Sequence, residues 1–536
     1  MPGTLDLGAL HRERQARQNK KRERSISPPP ASRKAPKLET ETISLPSGAR
    51  LTSFTTTLAT DQQSRKTSVA HAANEKLKTT TVKSHTAQDA LTQPKRPGDI
   101  VFPHGVVKKT WAFGHERDGS DVKLEEVLEP QTLRIAVLSA FQWDMEWVMS
   151  KLKTPLNGGS TRCVFVMQAK EASLKAQMLA DTQAQRAWLR LCFPPMEGQT
   201  NCMHSKLMLL FHANKLRVAI PTANLLNFDW GETGVMENSV FMIDLPRLSE
   251  GQKQNLTDFG KELLYFLDKQ GVDQDIKDGM LNFDFSTTEQ MGFVHSIGGI
   301  SAGDHAQRSG LASLGRAVRQ LDLKSEDVDI DFAASSIGSL KDAQLSLLHA
   351  AACGEDVFTH TAKTATAKAT NFFNKASHND HSIRDKVRIY FPTKETVQGS
   401  TAGAAGTICL SREWFEQMTF PRRCFRDYIS TRAGLLSHNK ILYVRSVSEL
   451  KKKVAWAYVG SANVSESAWG KLVYSKKEKT WHVNCRNWEC GVVLPVKVDA
   501  ISDLSDLKVF DQVVRPPFLY PGSDYDRREP WYFKES

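Results

Sequence analysis

The chain has 536 residues, 40% of them hydrophobic and 24% charged, with a formal net charge of +11. That length exceeds one ordinary domain, and no run approaches the ~20 continuous apolar residues that span a bilayer, so an integral membrane protein is excluded. The eight cysteines are sparse and form no Cys-x-x-Cys pair, which argues against a disulfide scaffold or a zinc module and fits a reducing compartment.

Residues 1–100 hold 18 basic and 9 acidic residues and a single aromatic, Phe54, of 45 in the chain. The rest of the chain therefore carries a net charge of only +2, and any nucleic-acid site in the body must be a local groove. A segment this poor in apolar groups buries too little to offset its ordering entropy, so 1–99 is expected to be a disordered basic tail. It shows no apolar signal-peptide core. Its clusters Lys20, Lys21, Arg22, Arg24 and Arg33, Lys34, Lys37 read either as nuclear-import signals or as a solvated charge run.

From about 100 the texture changes. Thr132–Phe141 reads as a buried strand, Asp144–Leu152 has helical spacing, and Thr161–Gln168 is a second strand. The same order recurs at Val328–Ser336, Ala343–Ala352 and Val387–Pro392. A sharper repeat follows. Met203–Leu226 and Ser437–Val464 each contain His-x-Lys, an apolar strand, a polar turn, a second apolar strand and Ala-Asn. Lys to Asn spans 18 residues in the first copy and 23 in the second, the difference falling in the basic turn Ser446–Lys453. A Glu then precedes a closing strand in each copy, Glu237 in the first and Glu489 in the second. The folded part is thus expected to be α/β: two pseudo-symmetric halves, 100–290 and 291–536, each a mixed sheet flanked by helices. The aromatic C-terminal segment is expected to dock on the body.

On a strand, residues i and i+2 share a face, so His204 and Lys206 aim at one place, as do His438 and Lys440. One His-x-Lys means little and a lone His is more often structural; two copies in the same setting are a much stronger pattern. Lysine ammonium groups have no lone pair for a metal and no carboxylate cluster accompanies them, so no metal and no cofactor is expected. Two His, two Lys and two Asn suit a phosphodiester. The ammonium and amide groups bind its oxygens and stabilise the charge that develops on them, one imidazole attacks phosphorus and the other transfers protons. Each Glu can fix the tautomer of a His.

These motifs resemble those of the phospholipase D superfamily, and the Asn at 224 and 463, where ordinary members carry Asp, resembles its tyrosyl-DNA phosphodiesterase branch. The resemblance covers most of 100–536 and includes Ala223-Asn-Leu-Leu226, Asp229-Trp230, Ser335-Ser336-Ile-Gly-Ser339, Gly460-Ser-Ala-Asn463-Val-Ser465, Ala468-Trp469-Gly470 and Pro530-Trp531. It implies a metal-independent enzyme that removes tyrosyl and other adducts from DNA 3′ ends, with hydrolase, exonuclease and DNA-repair roles. Carried over, His204 is the nucleophile and His438 the proton donor and acceptor. Lys206, Lys440, Asn224 and Asn463 hold the phosphate, and Glu489 supports from the second copy. At 237 the family can carry Gln. Ser335, Ser336, Ser339 and Ser465 fall where the family contacts DNA phosphates, although serines there also cap helices. The segment before His204 lacks the aromatic that some members stack on a base. The resemblance implies DNA with a 3′-linked adduct, single- or double-stranded, as partner, no membrane, a monomer and the nucleus. Two other readings compete: another phospholipase D-type nuclease or phospholipase, and a non-catalytic DNA-end-binding scaffold.

Overall fold

The structure, a computed structural model, describes residues 98–533 except 372–380, 448–451 and 500, and in addition 41–44 and 50–53. The import-signal clusters and most of the expected disordered tail fall on residues outside this set. Of that segment, Glu41–Ser44 and Arg50–Ser53 form an antiparallel pair with Glu41 opposite Ser53.

The body is built on two large sheets with one plan. In the first, the strands run in the order Val106–Thr110, Ser239–Pro246, Lys215–Pro221, Leu207–Phe211, Ile135–Ser139, Arg162–Val166 and Leu189–Cys192, with Asp121–Val122 at the outer edge. In the second they run Gly292–Ser296, Asn487–Val496, Ala455–Gly460, Ile441–Ser446, Val328–Ala333, Val387–Phe391 and Phe425–Asp427. The pairing senses agree strand for strand. Four antiparallel pairings are followed by two parallel ones. Even the isolated bridges match: Trp143 to Leu225 in the first half, Ile337 to Val464 in the second.

Side-chain alternation explains the layering. In the strand Leu207–Phe211 the odd positions Leu207, Leu209 and Phe211 face inward to a core shared with Ile441, Tyr443, Ala457, Val459 and Val492 of the other half. Met208 and Leu210 face outward to a separate cluster that holds Val127, Met145 and Val148 of two short helices. The second sheet does the same, with Leu442, Val444, Trp456 and Tyr458 facing the helices Leu311–Gln320 and Asp342–Ala352. Sheet thus packs on sheet, with helices outside. Local signals set the helix ends: Asp144 accepts from Trp147 N to start Met145–Lys151, and Gly271 at φ 76° ends Asp258–Gln270. The C-terminal aromatics are docked: Phe518, Tyr525 and Trp531 are buried, and the Trp531 indole donates to Ala405 O at 2.8 Å. Among the described residues no helix is long and apolar enough to cross a membrane.

Candidate active site

Each His-x-Lys pair occupies a three-residue link just before a central strand, and the opposite half sets its position. Cys202–Met203, just before His204, pairs parallel to Asn487–Trp488, and His204 N donates to Trp488 O at 3.0 Å. Leu436–Ser437, just before His438, pairs parallel to Met236–Glu237, and His438 N donates to Glu237 O at 3.0 Å. Thr222 Oγ1 donates to Asn439 Oδ1 at 3.2 Å between the halves.

The His204 ring is oriented by Glu489, with Nδ1 and Oε2 2.8 Å apart. Glu489 is buried and also accepts from Ser461 Oγ at 2.5 Å and Asn487 Nδ2 at 2.9 Å. Burial raises its carboxyl to about 7, against the pull of Lys206. Phe141 lies against His204, with ring centroids 5.3 Å apart. It lies two residues past the strand Ile135–Ser139 and is buried, so it packs on the His204 ring.

Both lysines are fully buried. Lys206 Nζ donates to His204 O at 2.8 Å; Lys440 Nζ donates to His438 O and, at 2.8 Å, to Ser335 Oγ. Burial lowers Lys206 to about 8. Burial and then the Lys206 charge push Lys440 well below its ordinary value. His438 is also held well below its usual value, by burial and then by Lys440, Lys206 and His204. These couplings bring both His-Lys pairs into one electrostatic site. Two buried ammonium groups in one site suit it to an anion.

The asparagines are held alike. Asn224 Oδ1 accepts from Gln142 N at 3.3 Å, and Asn463 Oδ1 accepts from Ser336 N at 3.0 Å and Ser335 Oγ at 3.4 Å. Gln142 and Ser336 are counterparts, each three residues past the end of its central strand. Ser335 and Ser336 therefore line the site through Asn463 and Lys440. Ser465 accepts from Ala468 N at 3.2 Å and so caps the helix Glu466–Trp469, and Ser339, three residues past Ser336, is half-buried.

Glu237 is not the counterpart of Glu489. In the second half Val459, four residues before Asn463, lies opposite Val492, three residues beyond Glu489. In the first half Ile220, four residues before Asn224, lies opposite Phe241, and three residues back from Phe241 is Asn238. Asn238 Oδ1 accepts from Thr222 Oγ1 at 2.7 Å, as Glu489 accepts from Ser461. Glu237, one residue out of step, turns its carboxylate to Ser430 Oγ at 2.7 Å, Tyr428 OH at 3.1 Å and both Arg432 Nε at 3.0 Å and Nη2 at 2.9 Å. The sequence spacing points to Glu237, whereas the strand pairing selects Asn238.

The group facing His438 is Asp229. Its Oδ2 lies 3.5 Å from His438 Nδ1 and accepts from Asn224 N at 2.6 Å. His438 Nδ1 and Asp229 Oδ1 are buried with no hydrogen-bond partner among the described residues. Burial raises Asp229 to about 6 although both lysines oppose it. The sequence motif contained Asp229, but the spacing of the repeat gave no reason to look there, since its counterpart in the second copy is Ala468. Among the described residues no group of three or more His, Cys, Asp and Glu side chains is placed to hold a metal ion.

A family model described as tyrosyl-DNA phosphodiesterase matches residues 106–526. A probable tyrosyl-DNA phosphodiesterase of Caenorhabditis elegans is 29% identical over 119 residues, 20% of this chain and 24% of that protein, so the match spans about a quarter of that relative. The fold is similar to crystal structures of the yeast tyrosyl-DNA phosphodiesterase and of a mutant of it. The TM-scores are 0.55 and 0.57 at 18% identity, covering 80% of this chain and 99% and 98% of those chains.

Proposed function

The chain belongs to the tyrosyl-DNA phosphodiesterase family, and from that premise we propose that it is a DNA-repair hydrolase acting at DNA 3′ ends. It cleaves the bond between a 3′-phosphate and tyrosine, or another 3′ adduct, through a covalent phosphohistidine. The observation that carries the reading is the asymmetric pair of histidines. One has its Nδ1 on a carboxylate at 2.8 Å, and the other has a depressed pKa beside two buried lysines.

The geometry supports this sequence of steps. The phosphodiester binds between Lys206 and Lys440, and its charge offsets the burial that lowers both and the Lys206 repulsion that lowers Lys440 further. His204, with Nδ1–H held by Glu489, attacks phosphorus through Nε2 while the bond to the tyrosyl oxygen breaks. The leaving oxygen takes a proton from His438, whose basicity rises once the anion is present. In the second step a water gives its proton to His438, attacks phosphorus and breaks the P–N bond. That frees a 3′-phosphate and restores His204. The lysines and amides supply the stabilisation that a cation gives elsewhere, so turnover is metal-independent. The enzyme works as a monomer, and its basic tail directs it to the nucleus.

The test is turnover of a 3′-tyrosyl oligonucleotide in excess chelator. His204→Ala is expected to form no covalent adduct. A phenol of pKa near ~10 leaves with only partial help from an acid, whereas water must be deprotonated. His438→Asn is therefore expected to accumulate the protein–DNA adduct. Activity restored only by added magnesium, or an adduct in His204→Ala and none in His438→Asn, would count against this reading.

A further inference from the structure

Beside the site stands a hairpin with an unusual charge pattern. Lys471–Ser475 and Thr480–Cys485 pair antiparallel, with Tyr474 opposite Trp481, and Gly299–Ala302 completes a three-stranded sheet. The turn reads Lys476-Lys477-Glu478-Lys479. Lys471, Lys476, Lys477 and Lys479 are all exposed and make no ion pair among the described residues. The one acid of the turn, Glu478, is tied to His482 at 2.6 Å. Residues beyond 100 carry a net charge of only +2, so four unpaired lysines within nine residues are a local concentration of charge.

The hairpin is rooted in the site at both ends. Its first strand begins six residues after Ser465, and its second runs through Arg486 into Glu489. Arg486 O accepts from Asn201 N at 2.6 Å, and Asn484 Nδ2 donates to Gln199 Oε1 at 3.2 Å, which fastens the root to the segment before His204. Trp481 packs edge-on to Tyr474, with centroids 5.2 Å apart, and near Phe358 at 6.3 Å, so the arm is braced. Tyr474 remains 47% exposed. At ~3.4 Å per residue, the five steps from Cys485 to Thr480 carry the lysine turn roughly 17 Å outward from the root.

We propose that this hairpin is a docking arm that grips backbone phosphates of the DNA strand away from the scissile bond, with Tyr474 offering a face to a base. The inference rests on the reading that the site acts on DNA. A nucleic-acid strand presents a negative charge about every 3.4 Å, the periodic partner that clustered unpaired lysines suit, whereas a peptide adduct offers no such regular charge. An exposed aromatic among lysines is the usual platform for single strands.

The test uses the full chain carrying Lys476→Ala, Lys477→Ala and Lys479→Ala together. Substrates are a 3′-tyrosyl dinucleotide and a 3′-tyrosyl single strand of about twenty nucleotides, long enough to pass the arm. The dinucleotide is expected to be turned over as by wild type, which also reports an intact fold. On the long strand, kcat/KM is expected to fall, and its salt slope to flatten by about 2. Between 50 and 200 mM salt the wild type then loses roughly 15-fold more than the variant. Fluorescence anisotropy with an unmodified strand of the same length reads the arm directly, whatever the fate of the catalytic reading. Weaker, less salt-sensitive binding by the variant is expected. Equal losses on both substrates, no change in either slope or anisotropy, or a loss that follows peptide length instead of strand length overturns the proposal.

Discussion

Lys206 and Lys440 sit in an environment that works against their charge. Lys206 is held at about 8 against 10.5 for the free side chain. Below about pH 8 the folded state carries a buried ammonium at a cost. Between about 8 and 10.5 the unfolded chain binds the proton more strongly, so stability rises with pH. Lys206→Met is therefore expected to raise the thermal midpoint near pH 7, by on the order of 2 kcal/mol in stability, while abolishing turnover. Its advantage over wild type should shrink as pH climbs through that window; an advantage that stays constant would show that the charge is not its source. Asp229 belongs to the same scale. Asp229→Asn keeps an acceptor for Asn224 N but removes the charge facing His438 Nδ1. We expect kcat to fall roughly 10- to 100-fold and the alkaline limb of its pH profile to move to lower pH, because the imidazolium loses its counter-charge. A profile that keeps its shape would assign Asp229 to packing alone.

The strands show what a sequence can and cannot carry. Apolar runs such as Thr161–Gln168 and Val387–Pro392 announced Arg162–Val166 and Val387–Phe391 to within two residues, because both faces of those strands are buried. The His, Lys and Asn of each copy were legible from i, i+2 spacing and duplication. The closing strands were harder. Register within a pair is a long-range property, and a slip of one residue exchanges the two faces. Glu237 and Asn238 are adjacent, and only their pairing with Lys215–Pro221 separates them. The prediction follows from that register. Glu237→Gln weakens a buried ion pair with Arg432 and is expected to lower stability by a few kcal/mol, leaving the pH dependence of turnover unmoved. Glu489→Gln is expected to shift that dependence, since it alters the partner of His204 Nδ1. Identical pH profiles for the two variants would remove the distinction.

At the scale of the molecule, the repeat predicted a duplicated α/β fold, and the matched strand orders and pairing senses bear that out. The face-to-face packing of the two sheets was not legible, since alternation says that a strand has an inner face but not what covers it. All eight cysteines are buried, and burial pushes several, among them Cys163 and Cys490, up to about 12. A thiol reagent is thus expected to react slowly with the native protein and with eight groups after denaturation; rapid native labelling would point to local opening. The His204 amide is bonded to the closing strand of the other half, and the His438 amide to Glu237, just before the closing strand of the first half. A symmetric dimer of identical subunits would meet that requirement equally well, but any substitution there would appear on both sides of the site. Joining the copies in one polypeptide lifts that restriction. One side keeps Glu489 while the other carries Asn238 and recruits Asp229, so the surroundings of the two histidines are free to diverge by independent mutation, as the proposed division between nucleophile and proton carrier requires.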